Sequence, residues 1–315
     1  MRVATIVTAN PRRAEQAAGS YPEARVEARV EAVWEGADQH DFVVIATPNH
    51  SHVPLALRAI EAGLAVVVDK PLATSSAAAR DLIERAEAAG VPLTVFHNRR
   101  WDSDFLTLRR LIAAGELGDV GRFESRFERW RPELAPGAWR ESSTPSEGGG
   151  LLLDLGTHLV DQALTLFGPV PEVHGEVEHR RGGPADDDVF LALRHESGVR
   201  SHIWASSVVA ARGPRLRVLG SRGAFVVDEL DGQEDALKAG ARPGSGAWGS
   251  EPEARWGRLV RGDEEERVPS EHGAWPEFYR LLEAALRGEG GLPVDPRDGI
   301  AVLEVLERAA RSSER

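Results

Sequence analysis

Cysteine is absent from the 315 residues, so the chain has neither a disulfide framework nor a thiolate metal site, which fits a reducing cytoplasm. No apolar run approaches the ~18 residues of a membrane-spanning helix, and the opening Met1 to Val7 is too short for a signal peptide. Positive charge is in deficit. The formal net charge of −12 disfavours nucleic acid or an anionic membrane as a partner. There is no internal repeat, and lysine is nearly missing: of 38 basic residues only Lys70 and Lys238 are lysines. What remains reads as an intracellular globular protein whose length suggests two domains, because single cores stop growing near ~250–300 residues.

The first hundred residues alternate apolar β-rich runs with helical patterns. Strands are expected at Val3 to Val7, Ala24 to Val30, Asp41 to Ala46, Ala65 to Val68 and Leu93 to Phe96. Helices are expected at Pro11 to Ala18, Val53 to Ala62 and Thr74 to Ala89, with Thr74 as a cap. Apolar strands separated by helices imply a parallel sheet covered on both faces. Beyond a helix at Asp102 to Ala114 the texture changes to strands in succession, which implies an antiparallel sheet: Arg122 to Trp130, Glu172 to Glu178, Val189 to Arg194, Arg200 to Ser206, Leu216 to Leu219 and Ala224 to Val227. A helix at Leu151 to Phe167 interrupts them, and helices at Trp275 to Leu286 and Asp298 to Ala310 close the chain. The Gly- and charge-rich stretch Asp231 to Gly262 reads as a long, mobile loop.

Ligands of such parallel sheets bind at the carboxyl ends of the strands. Two of those ends are polar: Thr47-Pro48-Asn49-His50-Ser51-His52 and Asp69-Lys70-Pro71. A chain that writes nearly all its positive charge as arginine and places lysine at a strand end needs a compact, tunable ammonium there, unless codon usage left it by chance. A third constellation, Gly148-Gly149-Gly150 followed by Asp154, His158 and Asp161, puts an acid and an imidazole four apart on one helical face. That spacing suits a general base oriented by a carboxylate; it equally suits a structural pair, and it makes only a weak metal site.

Taken together, Ala46-Thr47-Pro48-Asn49 with His52, Asp69-Lys70-Pro71, Asn98-Arg99-Arg100, Trp139-Arg140 and the triple glycine with Asp154, His158 and Asp161 resemble the Gfo/Idh/MocA oxidoreductases over nearly the whole chain. The resemblance implies an α/β fold: a Rossmann-like parallel sheet (residues 1–98), then an α/β domain with a predominantly antiparallel open sheet for substrate and dimerisation (99–315). It also implies NAD(P)-dependent redox chemistry on sugars, cyclitols or related alcohols. On it, Lys70, Asp154 and His158 take the catalytic positions, and Asn98, Trp139 and Arg140 join Asp154 and His158 as substrate contacts. Thr8, Asn10, Arg12, Arg13, Thr47, Pro48, Asn49, His52, Asp69 and Lys70 would meet the cofactor. Asp69 stands where the family usually has Glu.

One departure concerns the start. Met1 to Thr8 looks like the second strand of the family's Rossmann domain, no Gly-rich turn precedes it, and the first glycine is Gly19. A strand–turn–helix unit of roughly 30 residues is thus expected to be missing, through an internal start or a natural loss. The segment Thr8-Ala9-Asn10-Pro11-Arg12-Arg13 has no carboxylate for a ribose 2′-OH and two guanidinium groups for a 2′-phosphate, so NADP is favoured over NAD. A polyol or sugar-like substrate, a homodimer or homotetramer through the C-terminal sheet, and a cytoplasmic location complete the expectation. The alternative is a catalytically silent, ligand-binding homologue that lost the dinucleotide loop.

Overall fold

The computed structural model describes residues 1–135, 137–244 and 246–314. Its first part runs β1 (Thr5–Val7), α1 (Pro11–Ser20), β2 (Arg25–Glu27), α2 (Glu31–Glu35), β3 (Phe42–Ile45), α3 (His52–Glu61), β4 (Ala65–Asp69), α4 (Ser76–Ala88) and β5 (Leu93–Phe96). Every strand pair in it is parallel. Ala65 to Val68 of β4 are all buried, as an unbroken apolar run at the centre of a covered sheet must be. Ser75, not Thr74, caps α4, accepting from Ala78 N at 3.2 Å.

The parallel strands do not make one sheet. β1 pairs with β2, while β3, β4 and β5 form a second sheet in that order. β1 and β3 therefore each keep an unpaired edge, and Val7 and Val44 stay 37% and 42% exposed. A hydrogen bond of 2.9 Å between Thr5 Oγ1 and His40 Nε2 links the two pieces.

The second part adds α5 (Ser103–Ala113), β6 (Val120–Glu128), α6 (Trp139–Ser142), α7 (Thr157–Phe167), β7 (Glu172–Glu178), β8 (Asp188–Arg194), β9 (Arg200–Ser206), β10 (Leu216–Gly220), β11 (Ala224–Val227), α8 (Gln233–Lys238), β12 (Arg258–Arg261), β13 (Glu264–Arg267), α9 (Pro276–Leu286) and α10 (Pro296–Ser313). Eight strands form one sheet in the order β13-β12-β11-β10-β6-β9-β8-β7. All its neighbours are antiparallel except β6 and β9, which are parallel because a long excursion through α6, α7, β7 and β8 separates them. Alternation sets the faces: Phe123, Ser125 and Phe127 of β6 are buried, whereas Arg122 and Arg126 point the other way.

Asp231 to Gly262 corrects the expectation of a mobile loop. Its described residues include α8 and all of β12, and Asp231 and Gln233 are buried. Composition misleads here because the charges are satisfied inside: Asp231 accepts from Ser103 N at 2.7 Å. The last helix returns to the first part, where Glu307 accepts from Ser76 N and Oγ at 2.6 and 2.8 Å and Val294 O accepts from Thr94 Oγ1 at 2.8 Å.

Candidate active site

β4 ends in Asp69-Lys70-Pro71, and Asp69 Oδ1 accepts from Lys70 N at 2.8 Å, fixing the turn out of the strand. From there Lys70 Nζ donates to Asp154 O at 2.6 Å and to Asp154 Oδ1 at 2.7 Å. The two side chains are only 10% and 18% exposed. An ammonium has three N–H groups, so one remains for a ligand.

Asp154 reaches Lys70 through the triple glycine. Gly148 O accepts from Asn49 Nδ2 at 2.7 Å, which seats the glycines on the end of β3. A Cβ on Gly148 would lie 2.5 Å from Asn49 Cβ, and one on Gly150, whose φ is +94°, would lie 1.9 Å from Asp186 Oδ1. Asp186 sits so close because it caps the next turn of the chain, its Oδ2 accepting from Leu152 N at 2.7 Å. Burial pushes the Asp186 carboxyl up to about 6. The chain then makes a π-helical turn, Leu152–Gly156, before α7.

That turn overrides the spacing argument. Asp154 spends its carboxylate on Lys70 and on Arg140 Nε, 3.3 Å away, while His158 Nδ1 is buried with no hydrogen-bond partner among the described residues. The expected Asp154-to-His158 orientation is therefore absent. Burial would raise the Asp154 pKa, but Lys70 and Arg140 hold it below the ordinary value. Burial holds His158 well below the ordinary histidine value, and the cations Lys70 and Arg99 add to the effect. The imidazole is thus neutral, as a base must be. Asp161 faces Arg100 instead, accepting from Nε at 2.9 Å and Nη2 at 2.6 Å.

The structure distributes the remaining expected residues unevenly. Asn49 is committed to Gly148, and the buried His52 ring bridges two strand ends, its nitrogens 2.8 Å from Pro71 O and 2.9 Å from Thr47 O. His52 therefore braces the two strand ends against each other. Exposed Thr47 accepts from Ser51 Oγ at 2.7 Å, and Pro48 O accepts from the same hydroxyl at 2.6 Å. Thr8 Oγ1 accepts from Asn10 N at 3.3 Å; Asn10 caps α1, accepting from Arg12 N and Arg13 N at 3.0 and 3.2 Å. The Arg12 and Arg13 side chains are exposed. Asn98 is buried beside the site, and the Arg140 guanidinium lies over the Trp139 ring at 4.6 Å.

Sequence reasoning missed His97, whose two ring nitrogens are buried with no hydrogen-bond partner among the described residues and whose Nε2 is 3.7 Å from Asp161. It also missed Arg99 and Arg215, stacked on Phe127 at 4.8 and 4.5 Å, and the edge-on contact of Phe127 with His158 at 6.4 Å. These pairings are long-range and leave no local pattern; a buried charge with no period announces itself only in three dimensions.

A spare ammonium N–H and a neutral buried imidazole at the carboxyl end of a parallel strand fit the reacting end of a nicotinamide dinucleotide. At the start of α1, Asn10 already occupies the Arg12 and Arg13 backbone N–H groups, and the two guanidinium groups are left exposed. Fold and site together define an α/β oxidoreductase.

The chain belongs to the Gfo/Idh/MocA family of oxidoreductases: residues 1–97 match its model "Oxidoreductase family, NAD-binding Rossmann fold" and residues 105–226 match "GFO/IDH/MocA C-terminal domain". It is 34% identical over 305 residues to scyllo-inositol 2-dehydrogenase (NADP(+)) IolW of Bacillus subtilis (strain 168), covering 96% of this chain and 84% of that one. It is 42% identical over 277 residues to the uncharacterized oxidoreductase YdgJ of Escherichia coli (strain K12), covering 87% and 79%. The solved structure of the putative oxidoreductase yvaA from Bacillus subtilis superposes with a TM-score of 0.90 at 32% identity, covering 99% of this chain and 90% of that one. Among the described residues no helix is long and apolar enough to cross a membrane.

Proposed function

We propose that the chain moves a hydride between NADP, or less favourably NAD, and a CH–OH carbon of a sugar, cyclitol or related polyol. The observation that carries this reading is Lys70, held by Asp154 with one N–H unspent beside a histidine kept neutral. When bound, the nicotinamide supplies or accepts the hydride. His158 takes the hydroxyl proton, and the Lys70 charge stabilises the oxygen as it becomes an alkoxide. Asp154 acts on the lysine, fixing its aim. Asn98, Trp139 and Arg140 hold the substrate. The name of the Bacillus relative, an NADP-dependent inositol dehydrogenase, supports both cofactor and substrate class, and Arg12 and Arg13 suit a 2′-phosphate.

In the same proposal residues 1–98 carry the dinucleotide and residues 99–315 the substrate. The open sheet face, where Arg126 lies 3.9 Å over Trp204 and Phe190 stacks on Trp204 at 5.2 Å, joins two or four copies. A chain without cysteine suits the cytoplasm.

A second reading is a ligand-binding homologue without turnover. The test is a panel of sugars and cyclitols with both cofactors, monitored by nicotinamide absorbance alongside calorimetric cofactor binding. Turnover with NADPH formation upholds the enzyme; substrate binding without cofactor binding upholds the silent homologue.

A further inference from the structure

Two consecutive carboxylates lead into β8. Asp186 holds the turn that carries Asp154, and its neighbour Asp187 holds a buried arginine. The buried Asp187 accepts from Arg180 N at 2.7 Å through Oδ1, and from Arg181 N and Arg181 Nε, both at 2.9 Å, through Oδ2. From there the buried Arg181 side chain reaches the connection between β6 and α6. Its Nη1 lies 3.2 Å from Arg131 O, 3.3 Å from Glu133 O and 3.3 Å from Glu141 Oε1. The other Glu141 oxygen accepts from Ala135 N at 2.7 Å. One rigid planar group thus joins Asp187 to the chain on both sides of Trp139 and Arg140.

Arg140 needs such a frame. Its side chain is half-exposed, and its Nε faces Asp154 Oδ1 at 3.3 Å, the same oxygen that accepts from Lys70. Its carbonyl accepts from Gly150 N at 2.9 Å, and the next residues along, Leu151 and Leu152, donate their N–H groups to Asp186 O at 3.0 Å and Asp186 Oδ2 at 2.7 Å. Arg140 and Asp154 are therefore both referred to one acid pair, Asp154 through Asp186 and Arg140 through Asp187, Arg181 and Glu141. We infer that Arg181 is a positioning residue that seats Trp139 and Arg140 against Asp154 and so forms the substrate wall of the site. It acts through Arg140 and touches no substrate. Lys70 meets Asp154 directly, so the clamp governs substrate binding more than the chemical step. The inference rests on the proposed redox reading for what Trp139 and Arg140 hold, while the clamp on their backbone is tested separately.

Arg181→Lys keeps a charge beside the buried Asp187 but lacks the fork that spans both partners. Glu141→Ala cuts the far end of the clamp and leaves the Arg181 pair with Asp187 intact, so it carries the test should Arg181→Lys not fold. Each is compared with Arg140→Ala and with the matching double exchange, on the sugars and cyclitols of the panel, scyllo-inositol and glucose among them, with NADP. Arg181→Lys should raise KM on the order of 10-fold, the worth of one charge-assisted contact, with kcat within about twofold and NADPH affinity unchanged by calorimetry; Glu141→Ala should move KM the same way by less. Neither double exchange should be worse than Arg140→Ala alone, because a residue that acts through Arg140 adds nothing once Arg140 is gone. Backbone hydrogen exchange across residues 131–142 should quicken about tenfold in Arg181→Lys. Effects on KM that add in the double exchanges, or exchange across 131–142 unchanged in both single variants, would overturn the inference and leave the redox reading intact. If no sugar or cyclitol is turned over by the parental protein, the redox reading fails and hydrogen exchange alone decides the clamp.

Discussion

Replacing Lys70 by arginine keeps the charge and changes its shape, which isolates what the ammonium contributes. Nζ meets two Asp154 oxygens at 2.6 and 2.7 Å in a position only 10% exposed, leaving one N–H for the substrate oxygen. A guanidinium is longer and planar, so it cannot serve both Asp154 oxygens from one nitrogen and still aim a donor at the same point. Losing a donor directed at developing charge lowers kcat on the order of 10²–10³, or about 2.7–4 kcal/mol. The fold should survive because Asp154 keeps a cation, and Arg140 remains at 3.3 Å. Lys238→Arg is the control: Lys238 is 67% exposed and pairs with Glu234 four residues earlier, a surface contact worth at most about 1 kcal/mol. Steady-state kcat on a verified substrate is measured for both variants beside their melting curves. Near-parental kcat in both would refute the reasoning, since Lys70 would then be an accident of codon usage.

The neutral His158 places the acid limb of the kcat/KM profile below the ordinary histidine range, and His158→Asn should abolish the limb along with most activity; an acid limb above pH 7 would count against the base assignment. Asp186, whose folded value of about 6 exceeds the ordinary 3.8, contributes stability that is full below pH 3.8 and lost as the pH rises through 6. Asp186→Asn should remove that dependence, so melting curves of the two proteins must diverge across this window. Gly150→Ala, with a Cβ 1.9 Å from Asp186 Oδ1 at φ +94°, should destabilise by several kcal/mol in chemical denaturation and displace Asp154; a stability within about 1 kcal/mol of the parent would contradict the close approach. The double exchange of Arg12 and Arg13 to alanine should weaken NADPH binding more than NADH binding in calorimetric titrations, and equal loss for both would remove their proposed role.

Much of the fold was legible because its signals are local. The apolar run at β4 and the alternation along β6 and β8 express burial directly in sequence, and the Asp69-Lys70-Pro71 turn sits at the strand end where ligands bind. The errors have equally definite causes. Asp154 and His158 are four apart in sequence, yet a π-helical turn runs between them, and its first residue is held by a carboxylate, Asp186, 32 residues downstream of Asp154. Charge-rich sequence after Asp231 resembles a loop because the partners of those charges, Arg99 and Ser103 N, lie far along the chain.

The central claim is direct hydride transfer at the Lys70 and His158 site. The most direct measurement uses a substrate deuterated at the carbinol carbon and follows the label by mass spectrometry of the recovered nicotinamide. The account predicts NADPH carrying deuterium at C4 with the parental protein, and strongly reduced label with His158→Asn at unchanged cofactor affinity. Turnover that leaves the deuterium in water, or equal labelling by the His158→Asn protein, would contradict it.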